Sequence, residues 1–188
     1  TDMQIRPNDA IAEVTGMEMV KKPKVAVVMG SDSDFPVLKS CFRLLKEFGV
    51  ETEAIVCSAH RTPLKAAEFA GNAEKNGIEV IIAAAGKAAH LPGVLAAYTP
   101  LPVIGVPIKS STMDGLDSLL SIVQMPSGIP VATVAIDGAE NAALLAVQIL
   151  STAHLSLREK MREYKKELAR KVERKNSELQ KRLAEEDL

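Results

Sequence analysis

The chain has 188 residues, of which 47% are hydrophobic, 25% charged and 3% aromatic, with a net charge of −1 from 23 basic and 24 acidic side chains. That apolar content suffices for one domain with a real core, and the balanced charge excludes a global basic field for nucleic acid as its main theme. No apolar run reaches the roughly 18 residues a membrane span needs, and Cys41 and Cys57 form neither a disulfide framework nor a zinc motif, so a reduced, cytoplasmic setting is expected.

Residues 1–22 mix acids, bases and proline without periodicity. They read as a flexible leader or a linker remnant of a longer polypeptide, and not as a secretory signal. Residues 23–153 alternate short apolar runs with amphipathic patterns. Lys24–Met29 (KVAVVM) has strand length and ends at Gly30. After Ser31-Asp32-Ser33-Asp34, Pro36 suits a first helical turn, where its missing N–H is not needed. Val37, Leu38, Cys41, Leu44, Leu45 and Phe48 keep the spacing of one helix face, and Gly49 stops that helix. Glu53–Cys57 is a second strand. Thr62-Pro63 opens a second helix, as a cap followed by proline, and this helix is expected to run to Gly77. Val80–Ala85, Pro102–Val106 and Val131–Ile136 are further strands, while Asp114–Val123 and Asn141–Thr152 are helices. The Pro/Gly-rich stretch Gln124–Pro130 either walls a pocket or simply connects into the fifth strand.

Residues 154–188 are dense in Lys, Arg and Glu. Leu157, Met161, Tyr164, Leu168 and Val172, with Leu179 and Leu183 further on, recur near heptad spacing. The expectation is a helical extension whose narrow apolar stripe packs on a neighbouring subunit, against the plainer reading of a solvated helix fraying at its end. The interspersed glutamates count against a membrane-surface helix.

Continuous apolar strands separated by helices indicate an α/β fold whose central parallel sheet carries helices on both faces. In such sheets ligands sit beyond the carboxyl ends of the strands. The polar loops fall there: GSDSD after the first strand, SAHR after the second, GKAAH after the third. Three loops distant in sequence are thereby expected to meet in one crevice.

Gly30–Asp34 offers N–H groups and hydroxyls at a helix N-terminus, a natural anion pocket, and its carboxylates suit hydroxyl donors such as a ribose. It lacks the ending of a P-loop and the glycine spacing of a dinucleotide fingerprint. An N-cap box that only starts the helix accounts for the same residues. Ser58-Ala59-His60-Arg61 sets a hydroxyl, an imidazole and a guanidinium side by side. Arg favours phosphate or carboxylate, and His suits proton transfer near neutral pH. A surface loop with incidental charges is the bland alternative. His90, in an Ala-rich Pro-Gly turn, reads by itself as structural, and His154 suits the dipole at a helix end. Cys41 and Cys57 read as small core residues. No nucleophile elbow supports serine acyl chemistry.

The strings MGSDSD, SAHRTP, AAHLPG, PLPVIGVP, GLDSLLSIVQMP and NAALLA, in this order from about Pro23 to Leu150, resemble the N5-carboxyaminoimidazole ribonucleotide mutase family of purine biosynthesis, the PurE family. SAHRTP and AAHLPG are similar to its mutase class rather than its carboxylase class. The resemblance implies a flavodoxin-like three-layer domain, a homo-octamer with sites at subunit contacts, a small-molecule nucleotide substrate, and no metal or organic cofactor. It implies a reaction that moves a carboxylate from the exocyclic N5 to ring C4, by decarboxylation to aminoimidazole ribonucleotide and trapped CO2, then recarboxylation at carbon. Residue by residue, it implies that Ser31, Ser58 and Arg61 hold the phosphate, and that Asp34 takes ribose hydroxyls while Asp32 and Ser33 shape the same pocket. His60 is the implied general acid/base. Ala59, Gly86, Lys87, Ala88, His90 and Leu91 are the implied remainder of the substrate site, with the Gly86–His90 loop against the base and the carboxylate. These roles are physically coherent, because one proton carrier can both give and take the proton, and CO2 needs a closed, water-poor pocket.

One stretch departs from the family pattern. Where the family usually reads GAGGAAHLPG, this chain has Ala84-Ala85-Gly86-Lys87-Ala88-Ala89-His90-Leu91-Pro92-Gly93. Ala84 is harmless if its backbone is extended. Lys87 replaces a residue that permits positive φ and close backbone approach. It either points away from the site, adds a cation near the substrate carboxylate, or fills the pocket. The competing readings are direct carboxylation of aminoimidazole ribonucleotide by CO2 and a non-catalytic nucleotide-binding module.

Overall fold

Side chains alternate across a strand, and in this sheet both faces are apolar. In β1 (Lys24–Met29), Val25, Val27 and Met29 enter one core while Ala26 and Val28 enter a second. β3 (Val80–Gly86) splits the same way, with Val80, Ile82 and Ala84 on one side and Ile81, Ala83 and Ala85 on the other. Such strands must be covered twice. The computed structural model, which describes residues 22–188, has a five-stranded parallel sheet in the order β2-β1-β3-β4-β5. Here β2 is Glu51–Val56, β4 is Val103–Ile108 and β5 is Ala132–Thr133. One face is covered by α1 (Phe35–Phe48), α5 (Ala139–Leu150) and the start of α6 (Leu155–Glu185). The other is covered by α2 (Pro63–Asn72), α3 (Leu91–Tyr98) and α4 (Leu116–Val123). This is the expected flavodoxin-like three-layer architecture with a long C-terminal helix. Of the expected leader, only Lys22 lies within the described residues.

Local chemistry sets the element ends. Gly49 ends α1 in the left-handed region at φ +79°, donating its N–H to the carbonyls of Leu45 and Lys46. Gly105 matters for space. A methyl group there would overlap Ile122 of α4 and press on Val131, so α4 lies closer to β4 than a side chain allows. Cys41 and Cys57 are buried, and burial pushes the Cys41 thiol up to about 12, which keeps it uncharged and unreactive at neutral pH.

The structure changes four points of the expected layout. Helix α3 was not legible because it is apolar on nearly every side, leaving no polar face to create a period. α2 ends at Asn72, and the chain reaches Gly77 through turns in which the Asn76 and Gly77 N–H groups bond Asn72 and Glu74. Thr62 does not cap α2 with its side chain, because its hydroxyl accepts from the Ser58 N–H at 2.9 Å and donates to the Ser58 carbonyl at 3.1 Å. β5 is two residues long rather than Val131–Ile136. Beyond Gly105 the neighbouring strand offers Pro107, whose carbonyl accepts from Asp137 on that side but which has no N–H to give.

α6 divides between two environments. Leu157 and Met161 are buried in the chain's own core, and Tyr164 packs on Phe48 with ring centroids 5.8 Å apart. Lys160 caps α1 by donating to the Phe48 carbonyl at 2.7 Å, and His154 bonds Glu79 at 2.8 Å. Beyond this anchor, Leu168, Val172 and Leu179 are exposed. The first part of the expected inter-subunit stripe is therefore used internally. Among the described residues no helix is long and apolar enough to cross a membrane.

Candidate active site

Parallel pairing in register brings the strand ends level. Met29 pairs with Val56 on one side and Ala84 on the other, and Gly86 pairs with Ile108. Gly30 donates to the Ala84 carbonyl at 3.0 Å and Cys57 to the Met29 carbonyl at 2.9 Å. The loops that leave β1, β2, β3 and β4 consequently open on one edge, around a cleft of about 660 Å³. Of the expected site residues, Ser31, Ser33, Asp34, Ser58, Ala59, His60, Arg61, Gly86, Lys87, Ala88, His90 and Leu91 all line it.

Asp32 is the exception. It opens the single 3-10 turn Asp32–Asp34 as an exposed residue, and its carboxylate accepts from the Ser31 hydroxyl at 3.3 Å outside the cleft lining. The loop also contains the capping box that was the plainer reading. The Ser31 hydroxyl accepts from the Ser33 N–H, and the Asp34 carboxylate accepts from the Ser31 N–H, each at 3.3 Å. Capping and ligand binding do not exclude each other here, since both Ser31 and Asp34 face the cleft. Asp34 is 7% exposed. Burial, opposed by the Ser31 hydrogen bond, holds its carboxyl above the ordinary carboxylate value.

Arg61 joins the first two loops. Its Nη2 donates to the Gly30 carbonyl at 3.3 Å, its Nε to the Ser58 hydroxyl at 3.5 Å, and its backbone N–H to the same hydroxyl at 3.2 Å. Ser31, Ser58 and a guanidinium thus border one corner of the cleft, a donor set suited to a phosphate.

His60 and His90 come from loops thirty residues apart, and their rings meet edge to face with Nε2 of His60 2.8 Å from Nδ1 of His90. One nitrogen must donate and the other accept, so each ring fixes the other's tautomer and orientation. His90 by itself reads as structural and enters the expected substrate site only through the family resemblance; its contact with His60 exists only in the folded chain.

The third loop is tightly wound. Ala89 N–H bonds the Lys87 carbonyl and His90 N–H the Ala88 carbonyl, each at 2.8 Å, two successive three-residue turns. Lys87 begins them in the left-handed region, at φ +56°. A lysine there is strained by about 1–2 kcal/mol relative to ordinary backbone. Ala84 lies in extended backbone inside β3, buried and paired with Met29 and Val106, where a methyl fits.

A fourth wall was missed. Ile108, Lys109, Ser110 and Ser111, which follow β4, also line the cleft. Their signal was the one used for the other loops, a polar stretch after an apolar strand, but the strand was expected to end at Val106. Asp137 accepts from the Lys109 N–H at 2.9 Å, and Ser110 donates to Asp117 at 2.8 Å, so this wall is rigidly held. Arg61, Lys87 and Lys109 face the cleft with Asp34 as the carboxylate in its lining, an arrangement that favours anionic ligands. Among the described residues no group of three or more His, Cys, Asp or Glu is placed to hold a metal ion.

This fold and cleft define a class, that of three-layer parallel α/β domains with a cation-lined cleft at the carboxyl ends of their strands. Within it, the model of the AIR carboxylase family matches residues 24–171, and the chain belongs to that family. It is 62% identical over 160 residues to the N5-carboxyaminoimidazole ribonucleotide mutase of Pyrococcus horikoshii, covering 85% of this chain and 90% of that one. It is 53% identical over 164 residues to the phosphoribosylaminoimidazole carboxylase of Saccharomyces cerevisiae, covering 87% of this chain and 28% of the yeast protein. The crystal structure of Treponema denticola PurE superposes with a TM-score of 0.76 at 29% identity, over 84% of this chain and 99% of that one.

Proposed function

We propose that the chain is a mutase of purine biosynthesis that converts N5-carboxyaminoimidazole ribonucleotide into 4-carboxy-5-aminoimidazole ribonucleotide. The observation that carries this reading is the hydrogen-bonded His60–His90 pair beside a cation-lined cleft, in a chain so similar to a protein that bears the mutase name. The phosphate sits against Ser31, Ser58 and Arg61. The ribose hydroxyls donate to Asp34, and in doing so restore solvation that burial has taken from its carboxylate. The imidazole then reaches His60 and the Gly86–His90 loop, with Ala59, Ala88 and Leu91 lining that part of the cleft.

His60 carries the proton. The bond between the carboxylate carbon and N5 breaks, CO2 departs, and the nitrogen takes a proton from His60. Ring C4 then attacks the held CO2, and the proton lost from C4 returns to His60, so atoms and charge balance. His90 is a positioning residue that holds the His60 ring through the 2.8 Å contact. Recarboxylation needs CO2 held away from water, and the small side chains of Ala59 and Ala88 leave room for it beside the His pair.

The assembly that fits this reading is a homo-oligomer, an octamer with sites at subunit contacts. Exposed apolar side chains support it, namely Leu168, Val172 and Leu179 on α6 and Tyr98, Leu120 and Val123 on the α3–α4 side. The far part of α6 packs on a neighbouring subunit, and the enzyme works in the cytoplasm. Light scattering at micromolar concentration is expected to give the octamer, and a stable monomer or dimer would reject this assembly.

The test of function supplies N5-carboxyaminoimidazole ribonucleotide in one reaction and aminoimidazole ribonucleotide with bicarbonate in another. Fast turnover of the first, with the second requiring high bicarbonate, is expected. Efficient use of the second alone would instead establish a carboxylase, the name that the yeast relative carries.

A further inference from the structure

We propose that Lys87 is a specificity-determining residue that holds the substrate's carboxylate, separating carboxylated nucleotides from the decarboxylated one. The inference rests on the mutase reading for the identity of the ligand.

Three observations on this chain point there. The first is backbone. Lys87 adopts φ +56°, a conformation that L side chains rarely take, and is kept in it by the successive turns that end at His90. Strained residues of this kind persist where the surroundings over-determine them, and they cluster at ligand clamps.

The second is pairing. Of the three cations that line the cleft, Arg61 is engaged with Gly30 and Ser58, and Lys109 is 3.4 Å from the Asp114 carboxylate. Lys87 has no hydrogen-bond or salt-bridge partner among the described residues. Its charge is available to a ligand.

The third is placement. Arg61 follows β2 and reaches the β1 loop, at one end of the cleft. Lys87 follows β3, between the β1 loop and the wall that follows β4. The β2 and β3 loops meet where His60 Nε2 lies 2.8 Å from His90 Nδ1, and Lys87 belongs to the same loop as His90. A ligand whose phosphate lies toward Arg61 turns its other end to the His60–His90 contact and the Lys87 loop that borders it, where its carboxylate meets the Lys87 cation.

The consequence for the reaction is specific. The carboxylate exists in substrate and product, but the intermediate holds neutral CO2. A cation at this end therefore favours both carboxylated nucleotides over the intermediate state. Such binding lowers KM without raising kcat. Lys87 sets which nucleotide is retained, while His60 sets the rate.

The test compares the full chain with Lys87→Met and Lys87→Arg by calorimetric titration with two ligands, aminoimidazole ribonucleotide and its stable 4-carboxy derivative, alongside kinetics. Lys87→Met is expected to weaken the carboxylated ligand roughly tenfold or more while leaving the decarboxylated one within about twofold. KM is expected to rise by the same factor with kcat unchanged or higher. Lys87→Arg is expected to restore most of the discrimination. Equal losses for both ligands, or no loss for either, would overturn the proposal, and the retained affinity for aminoimidazole ribonucleotide reports that the variant is folded. A parent chain that binds neither nucleotide would overturn the mutase reading together with this one. A parent that turns over normally but whose Met variant does not discriminate would overturn this one alone.

Discussion

The contact between His60 and His90 separates two kinds of contribution, and a double-mutant cycle measures both. His60→Asn removes the proton carrier. General acid–base catalysis contributes about 10²–10⁴-fold, so kcat should fall by that factor, about 3–5 kcal/mol of barrier. His90→Asn removes one hydrogen bond of 2.8 Å between imidazoles at an exposed position. A neutral hydrogen bond is worth about 0.5–1.5 kcal/mol net, which sets the expected loss at about 2- to 12-fold. Because His90 acts through His60, the double variant should be no slower than His60→Asn alone. The assay is the initial rate with N5-carboxyaminoimidazole ribonucleotide, with melting curves run on every variant to verify folding. Two results would refute the reasoning: a His60→Asn variant within tenfold of the parent, or additive losses in the double variant, which would mean that His90 touches the reacting atoms itself.

Arg61→Ala should raise KM by roughly 10- to 150-fold through loss of charge-assisted bonds to phosphate, with a smaller effect on kcat, and steady-state kinetics with an unchanged KM would reject that role. Gly105→Ala should destabilise the fold by about 1–3 kcal/mol, because the new methyl overlaps Ile122, and chemical denaturation showing no change would mean that α4 moves freely. Burial holds the Asp34 carboxyl above its ordinary value of 3.8, so the folded chain binds this proton more tightly than the unfolded chain. The associated stability is full below the ordinary value and is lost as pH rises through the raised folded value. Asp34→Asn escapes this loss, so its melting temperature relative to the parent should climb across that window and then level. A difference that does not change with pH would count against it.

The sequence by itself determined the strands and the faces of the sheet. Val25, Val27 and Met29 against Ala26 and Val28 encode two cores by simple alternation, and Gly49 and Pro36 encode helix ends through backbone chemistry. It also determined that three polar loops follow parallel strands, which places Ser31, Ser58 and Arg61 at the strand ends that border the cleft. It did not reveal α3, whose apolar surroundings erase periodicity, or the brevity of β5, which depends on Pro107 in a neighbouring strand. Only the tertiary structure decided that Asp32 stands outside the cleft while Lys109 and Ser110 stand in its wall. Only it decided that His90 belongs to His60, and that Lys87 occupies left-handed backbone in the lining of the cleft. The physical reason is that periodicity and capping are local, carried by neighbours along the chain, whereas pairing, strain and the convergence of charge come from strand register, which joins residues that the chain keeps far apart.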